Sequence, residues 1–126
     1  EIETEDYGVT FYDINSYTYL YVGEVLYDEG TSARQIAEEV LDSLSAEAED
    51  GTFVIFEETP FSVPTGDDAY LVCLEFVDSE GYYQWVLDLE TIDGESNVYF
   101  FLSGEDPEDY MLYRELIEVI GASFSR

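Results

Sequence analysis

The chain has 126 residues, and its 31 Asp and Glu face only three Arg, with no Lys and no His, for a formal net charge of -28. Without imidazole no Ser-His-Asp or Cys-His nucleophile can be assembled from this chain. With Arg34, Arg114 and Arg126 as its only basic side chains it cannot build the clusters that meet nucleic acid, anionic lipid or phosphorylated ligands.

The expected partner is therefore a protein with a neutral or cationic surface. A folded chain of this size exposes roughly 7,000 Å², which leaves about one uncompensated charge per 250 Å² at a spacing of about 16 Å. At that spacing two charges repel in water by about 0.3 kcal/mol before screening, and the Debye length in physiological salt is only ~8 Å. The surface is tolerable without high salt, and such acidity also serves solubility.

Length and the 46% hydrophobic content indicate one globular domain over 1–126. Glu1–Asp6 reads as a polar N-terminal segment, the tail of a linker in a processed ectodomain. Tyr7–Tyr12 reads as a first short strand, with turn chemistry at Asp13-Ile-Asn-Ser16. Tyr17–Val22 alternates strictly, placing Tyr17, Tyr19 and Tyr21 on one face and Thr18, Leu20 and Val22 on the other. Gly23 reads as a bulge or bend.

A first helix opens on a capping box, Ser32 with Gln35 three residues on. Ile36, Ala37, Val40, Leu41, Leu44 and Ala48 form its apolar stripe, and Asp50-Gly51 stops it. Strands are expected at Thr52–Phe56, Ala69–Val77, Tyr82–Leu89 and Val98–Leu102. Pro60 confines Phe61–Val63 to an edge or bend. Asp78-Ser-Glu-Gly81 and Asp93-Gly-Glu-Ser-Asn97 supply hairpin turns. Asp106-Pro107 starts a C-terminal helix with an Asp cap and Pro at the first position, whose stripe is Leu112, Leu116, Ile117, Ile120 and Phe124. The expectation is an α+β fold, an antiparallel sheet with an early amphipathic helix and a C-terminal helix packed on it.

The first helix, Thr31-Ser-Ala-Arg-Gln-Ile-Ala-Glu-Glu-Val, and the ending Leu116-Ile-Glu-Val-Ile-Gly-Ala-Ser-Phe-Ser-Arg126, in this element order, resemble the PsbP-like superfamily. The Pro-x-x-Trp segment that often opens such domains is absent. The resemblance implies an α/β/α-like sandwich outside the cytoplasm, as in bacterial lipoprotein ectodomains. It implies a binding or accessory role and carries over no catalytic residues.

Among candidate chemistries, Glu75 and Asp88 are the acids best placed for burial and hence for acid/base work, yet alternation turns both toward solvent on a half-exposed sheet. Cys73 reads as a small buried hydrophobe. The loops Asp93–Asn97 and Ser103–Pro107 carry oxygen ligands but lack the twelve-residue calcium pattern, and read as turns. No catalytic, cofactor-binding or metal residues are assigned, and no cofactor is expected. The tyrosine stripe, Tyr17, Tyr19 and Tyr21, is the candidate partner surface, set against packing under a helix. The leading expectation is a non-enzymatic extracytoplasmic binding or accessory domain. Two others stand beside it: an acidic inhibitor or nucleic-acid mimic, and a surface or filament subunit.

Overall fold

The computed structural model describes residues 2–5, 8–13 and 17–125. The expected strand start at Tyr7, most of the turn at 14–16 and Arg126 lie outside the described residues.

One antiparallel sheet holds seven strands: β1 (Ile2–Glu5), β2 (Gly8–Asp13), β3 (Thr18–Leu26), β4 (Val54–Pro60), β5 (Asp68–Val77), β6 (Tyr83–Asp93) and β7 (Ser96–Gly104). Their spatial order is β1-β2-β3-β7-β6-β5-β4. Helix α1 (Ala33–Glu47) carries the chain from β3 to the far edge at β4, and β4 to β7 then meander back until β7 pairs with β3. Helix α2 (Tyr110–Ser123) follows a 3-10 turn at Pro107–Asp109. The fold is α+β, and the helices lie on opposite faces of the sheet.

Period-two alternation assigns those faces. Tyr70, Val72, Leu74 and Phe76 of β5 and Val86 and Ile92 of β6 pack with Ile36, Ala37 and Leu41 of α1. Their neighbours Leu71, Cys73, Trp85, Leu87 and Leu89, with Phe100 and Leu102 of β7, pack with Ile117 of α2. Strands β5 and β6 are covered on both sides, so nearly every residue of β6 is buried.

Local chemistry sets the helix starts. The Ser32 hydroxyl accepts from Gln35 N at 3.2 Å while Gln35 Oε1 accepts from Ser32 N at 2.8 Å, closing the capping box. Asp68 at the head of β5 accepts from Ala33 N at 2.8 Å. That bond pins the first turn of α1 to β5, and a carboxylate there also favours the helix dipole. Asp106 caps Glu108 N at 2.9 Å, so the Asp-Pro signal begins the 3-10 turn ahead of α2.

Several elements differ from the sequence reading. Ile2–Glu5, read as part of a polar N-terminal segment, forms edge strand β1, paired with β2. Gly23 is no bulge: the ladders run through it, opposite Gly8 and Tyr99. A Cβ at Gly23 would lie 2.7 Å from the Tyr21 and Tyr99 rings, so glycine gives the rings room over the backbone. β4 starts two residues later than expected and reaches Pro60, which the open edge tolerates. β6 runs four residues past Leu89, because the second hairpin is tight: Asp93 pairs with Ser96, and Gly94 takes φ 63°.

The α2 stripe also shifts in phase. Leu112 and Leu116 are exposed, and Tyr110, Tyr113, Ile117, Ile120 and Phe124 make the packed row. Spacings of three and four from Ile117 reach these positions, while Leu112 and Leu116 point off that line. Ile117→Ala should therefore cost about 2–5 kcal/mol in urea unfolding, and Leu112→Ala less than about 0.5 kcal/mol. Equal costs would contradict this phase.

Candidate functional site

Helix α1 packs on β5 and β6. The same face of β7, β3 and β2 carries no helix, and side chains alone cover it. Tyr19 pairs with Tyr12 and Phe101 at ring separations of 6.1 Å, and Tyr21 with Tyr99 at 5.6 Å. These spacings lie within the range in which aromatic pairs attract.

Three cavities line up on this face. One of ≈ 410 Å³ lies at the Tyr12, Tyr17 and Tyr19 end. One of ≈ 450 Å³ lies over Tyr21, Val25 and Tyr99. The third, ≈ 390 Å³, is the groove between α1 and the sheet, with Val40 and Leu44 on one wall and Tyr99 and Phe101 on the other. Tyr17, Tyr19 and Tyr21 thus belong to one open face. Tyr17 sits just before β3 with φ 53° and is 76% exposed, so it extends the strip as a loop residue. The alternative expectation, packing beneath a helix, does not describe these three: α1 sits on the neighbouring strands.

Asp88 and Glu90 line the floor of the third cavity, two residues apart on β6. The expectation that Asp88 faces solvent is wrong: it is 1% exposed and Glu90 is 2% exposed. A half-exposed sheet would have let the polar face of β6 meet water, but α1 and the β7 aromatics cover it. Asp88 lies opposite Val72 and Phe101, and Glu90 opposite Tyr70 and Tyr99.

No donor reaches Asp88 Oδ1, Asp88 Oδ2, Glu90 Oε2 or the side-chain oxygen of neighbouring Asn97. Glu90 Oε1 has one weak partner, Asn97 Nδ2 at 3.4 Å. Burial, and then the adjacent Glu90, push the Asp88 carboxyl well above the usual range. Burial likewise raises Glu90 to about 7. Both shifts favour one proton held between the two carboxyls, as for like charges in contact.

Glycosidases hold two carboxyls apart across a substrate; here Asp88 and Glu90 stand two residues apart on one face of β6 with their side chains buried. Asp88 and Glu75 cannot cooperate either, because they project from opposite faces of the sheet: Glu75 pairs across with Trp85, on the α2 side. There Glu75 accepts from the Tyr83 hydroxyl at 2.6 Å, which pushes the phenol upward after burial.

Cys73 is buried on the α2 side, as expected, with its thiol raised by burial to about 11. Nearby, Arg114 makes a bidentate pair with Glu57 at 3.0 and 3.1 Å and reaches Glu118 at 3.1 Å. Arg34 pairs with Glu38 at 3.3 Å on the exposed side of α1. Both described arginines are thus committed away from the groove. Of the acidic segment Asp93–Asn97 only 94–95 form the turn, the rest belonging to β6 and β7, and Ser103–Pro107 runs from the end of β7 into the 3-10 turn; among the described residues no group of three metal-ligating side chains converges.

No family model matches the chain, and no curated protein matches it. Among solved structures it is similar to PA94, a protein of unknown function from Pseudomonas aeruginosa, with a TM-score of 0.60 and 11% identity over 98% of this chain and 85% of that one. At that identity the likeness is one of fold alone.

The buried pair makes stability depend on pH with a definite sign. Both folded-state values are raised, so their contribution is fully present below the unfolded carboxylate range and is lost as pH rises through about 7. Glu39 on α1 and the phenols of Tyr27, Tyr70 and Tyr99 border the pair. Unfolding free energy should fall by about 2 kcal/mol or more between about pH 5 and pH 8. Asp88→Asn, which removes one charge and offers Glu90 two N–H donors, should flatten that dependence and be the more stable protein at about pH 8. Parallel pH profiles for the two proteins would contradict the assignment.

Proposed function

We propose that this chain is a non-enzymatic binding domain that receives a protein partner on the open aromatic face of β2, β3 and β7, beside α1. The observation that supports the reading is that three cavities are lined by tyrosine and phenylalanine rings on one face of the sheet, two of them on β3 and its neighbours and the third beside α1. Tyrosine offers rigid amphipathic contact area at low entropic cost and is enriched in interface cores. The excess of carboxylates selects a neutral or cationic partner and speeds its encounter. The resemblance to PsbP-like domains supports a site of action outside the cytoplasm and an accessory role.

The sealed carboxyl pair favours binding over catalysis. Hydrolysis by paired acids needs a water held between them and open to substrate, and burial of the oxygens of Asp88 and Glu90 opposes that.

Capture of the partner from an extract of the source organism tests the reading. The double variant Tyr12→Ala/Tyr19→Ala, whose positions are partly exposed, should lose capture by about tenfold or more, since interface aromatics carry a large share of binding energy. Leu112→Ala/Val119→Ala, on the exposed side of α2, should capture as the parent does. Loss through the α2 variant alone, or saturable turnover by the purified domain, would contradict the proposal.

A further inference from the structure

Four buried acceptor atoms, Asp88 Oδ1 and Oδ2, Glu90 Oε2 and Asn97 Oδ1, line the floor of the groove with no donor from any other described group, the proton between the two carboxyls being the pair's own. Buried polar atoms are paired in the great majority of cases, so four orphans in one place call for an explanation. Each is an acceptor, and two of the groups are acids. What the site lacks is a set of N–H or O–H donors, and positive charge suits it best. Among the described residues no cation supplies these, since the chain has no lysine or histidine and Arg34 and Arg114 are engaged elsewhere.

The walls narrow the class. Beside the carboxyls stand Ile36, Val40, Leu44 and Phe101, which offer apolar contact, with Glu39, Ser43, Tyr27 and Tyr99 also along the lining. A hard divalent cation needs six or more oxygens; among the described residues no group of three metal-ligating side chains converges, and the strand carbonyls around the pair are spent in the ladders of β5, β6 and β7. An ammonium needs three acceptors, and an alkyl stem suits such walls. The two carboxyls stand two residues apart on one face of β6 with Asn97 beside them, so a compact point-like head suits the site better than a planar guanidinium does. The aromatic ring of Phe101 and the phenol of Tyr99 add attraction for a cation.

We propose that the Asp88–Glu90–Asn97 floor is the seat of a lysine ammonium presented by the protein partner, with the lysine stem lying between α1 and Phe101. This rests on the reading of the open face as a partner surface and names what the partner brings to it. The oxygens lie just under the surface, and the partly exposed Tyr27, Val40 and Leu44 at the rim are the side chains that move aside as the head enters. The incoming N–H donors satisfy the orphan acceptors, and the amine's charge replaces the shared proton, which leaves to solvent.

The test is a titration of the intact chain at about pH 8, followed by backbone amide NMR, with doubly blocked lysine, its ε-acetylated form, blocked arginine and n-butylammonium. Blocked lysine and butylammonium should bind saturably and move amides of β6, β7 and α1. The neutral acetylated form should bind at least about twentyfold more weakly, as expected when one member of a buried charge pair is removed. Asp88→Asn/Glu90→Gln, checked for folding by its thermal transition, should lose lysine binding by a similar factor. Glu49→Gln/Asp50→Asn, which removes two charges outside the groove, should not.

Equal binding of the acetylated form would overturn the ammonium assignment. Butylammonium binding without blocked lysine would assign the site to a free amine instead and overturn the partner's lysine. Tighter binding of blocked arginine, or displacement of lysine by calcium at equal concentration, would overturn it in favour of those ligands, and no binding of any probe would overturn it outright. None of these outcomes bears on capture through Tyr12 and Tyr19, so the inference and the reading beneath it fail separately.

Discussion

The groove depends on a shortage. A chain with 31 acids and three arginines cannot give every buried carboxyl a cationic partner, and the two arginines described serve Glu38, Glu57 and Glu118. When α1 is pinned to β5 by the bond from Ala33 N to Asp68, it comes down over Asp88 and Glu90 and removes their water without supplying donors. Removing a charge from water in this way is costly, and protonation is the cheapest internal remedy. The same docking of α1 leaves β3 and β7 bare, so the buried acids and the open aromatic strip have one cause. A helix shifted toward β7 would have covered the tyrosines and freed the acids.

Small residues and rings complete the bare side. Gly8 and Gly23 sit below Tyr21, and a Cβ at either would collide with its ring. The tyrosines can therefore lie over the backbone of β2 and β3 instead of standing up into solvent, which spreads a thin aromatic layer where other sandwiches place a second helix. The opposite face follows the ordinary solution. Trp85 is fully buried there, stacks on Tyr113 at 5.4 Å, and donates its indole N–H to Asp106 O at 2.8 Å, joining β6 to the turn before α2. One face is thus packed and closed, and the other is built to be met.

Much of this was legible in the residues. The capping box at Ser32 and Gln35, the Asp-Pro start at Asp106 and the glycine turns gave the element order, because each is a local rule that tertiary packing did not override. The alternation of Tyr19 and Tyr21 gave their common face, while Tyr17 falls outside β3. What stayed hidden was topology. Val86-Leu-Asp-Leu-Glu-Thr-Ile92 alternates as a half-wet strand does, and only the insertion of β6 between β5 and β7, with helices on both sides, turns its polar face inward. Glu90 and Asn97 were missed for the same reason: no sequence signal tells which hairpin ends at the centre of a sheet. The length of β6 held a partial clue, since ordinary turn residues do not appear until Asp93-Gly94. The phase of α2 was misjudged because exposed Leu112 and Leu116 are as apolar as the residues that pack.

The central claim is that Asp88 and Glu90 share a proton because no described cation reaches them. Side-chain carboxyl carbon NMR, with assignments fixed by Asp88→Asn and Glu90→Gln, measures this directly. The Asp88 resonance should titrate well above the usual carboxylate range, and Glu90 should shift near neutrality. Titration of both carbons at about pH 4, alongside the exposed acids, would contradict it.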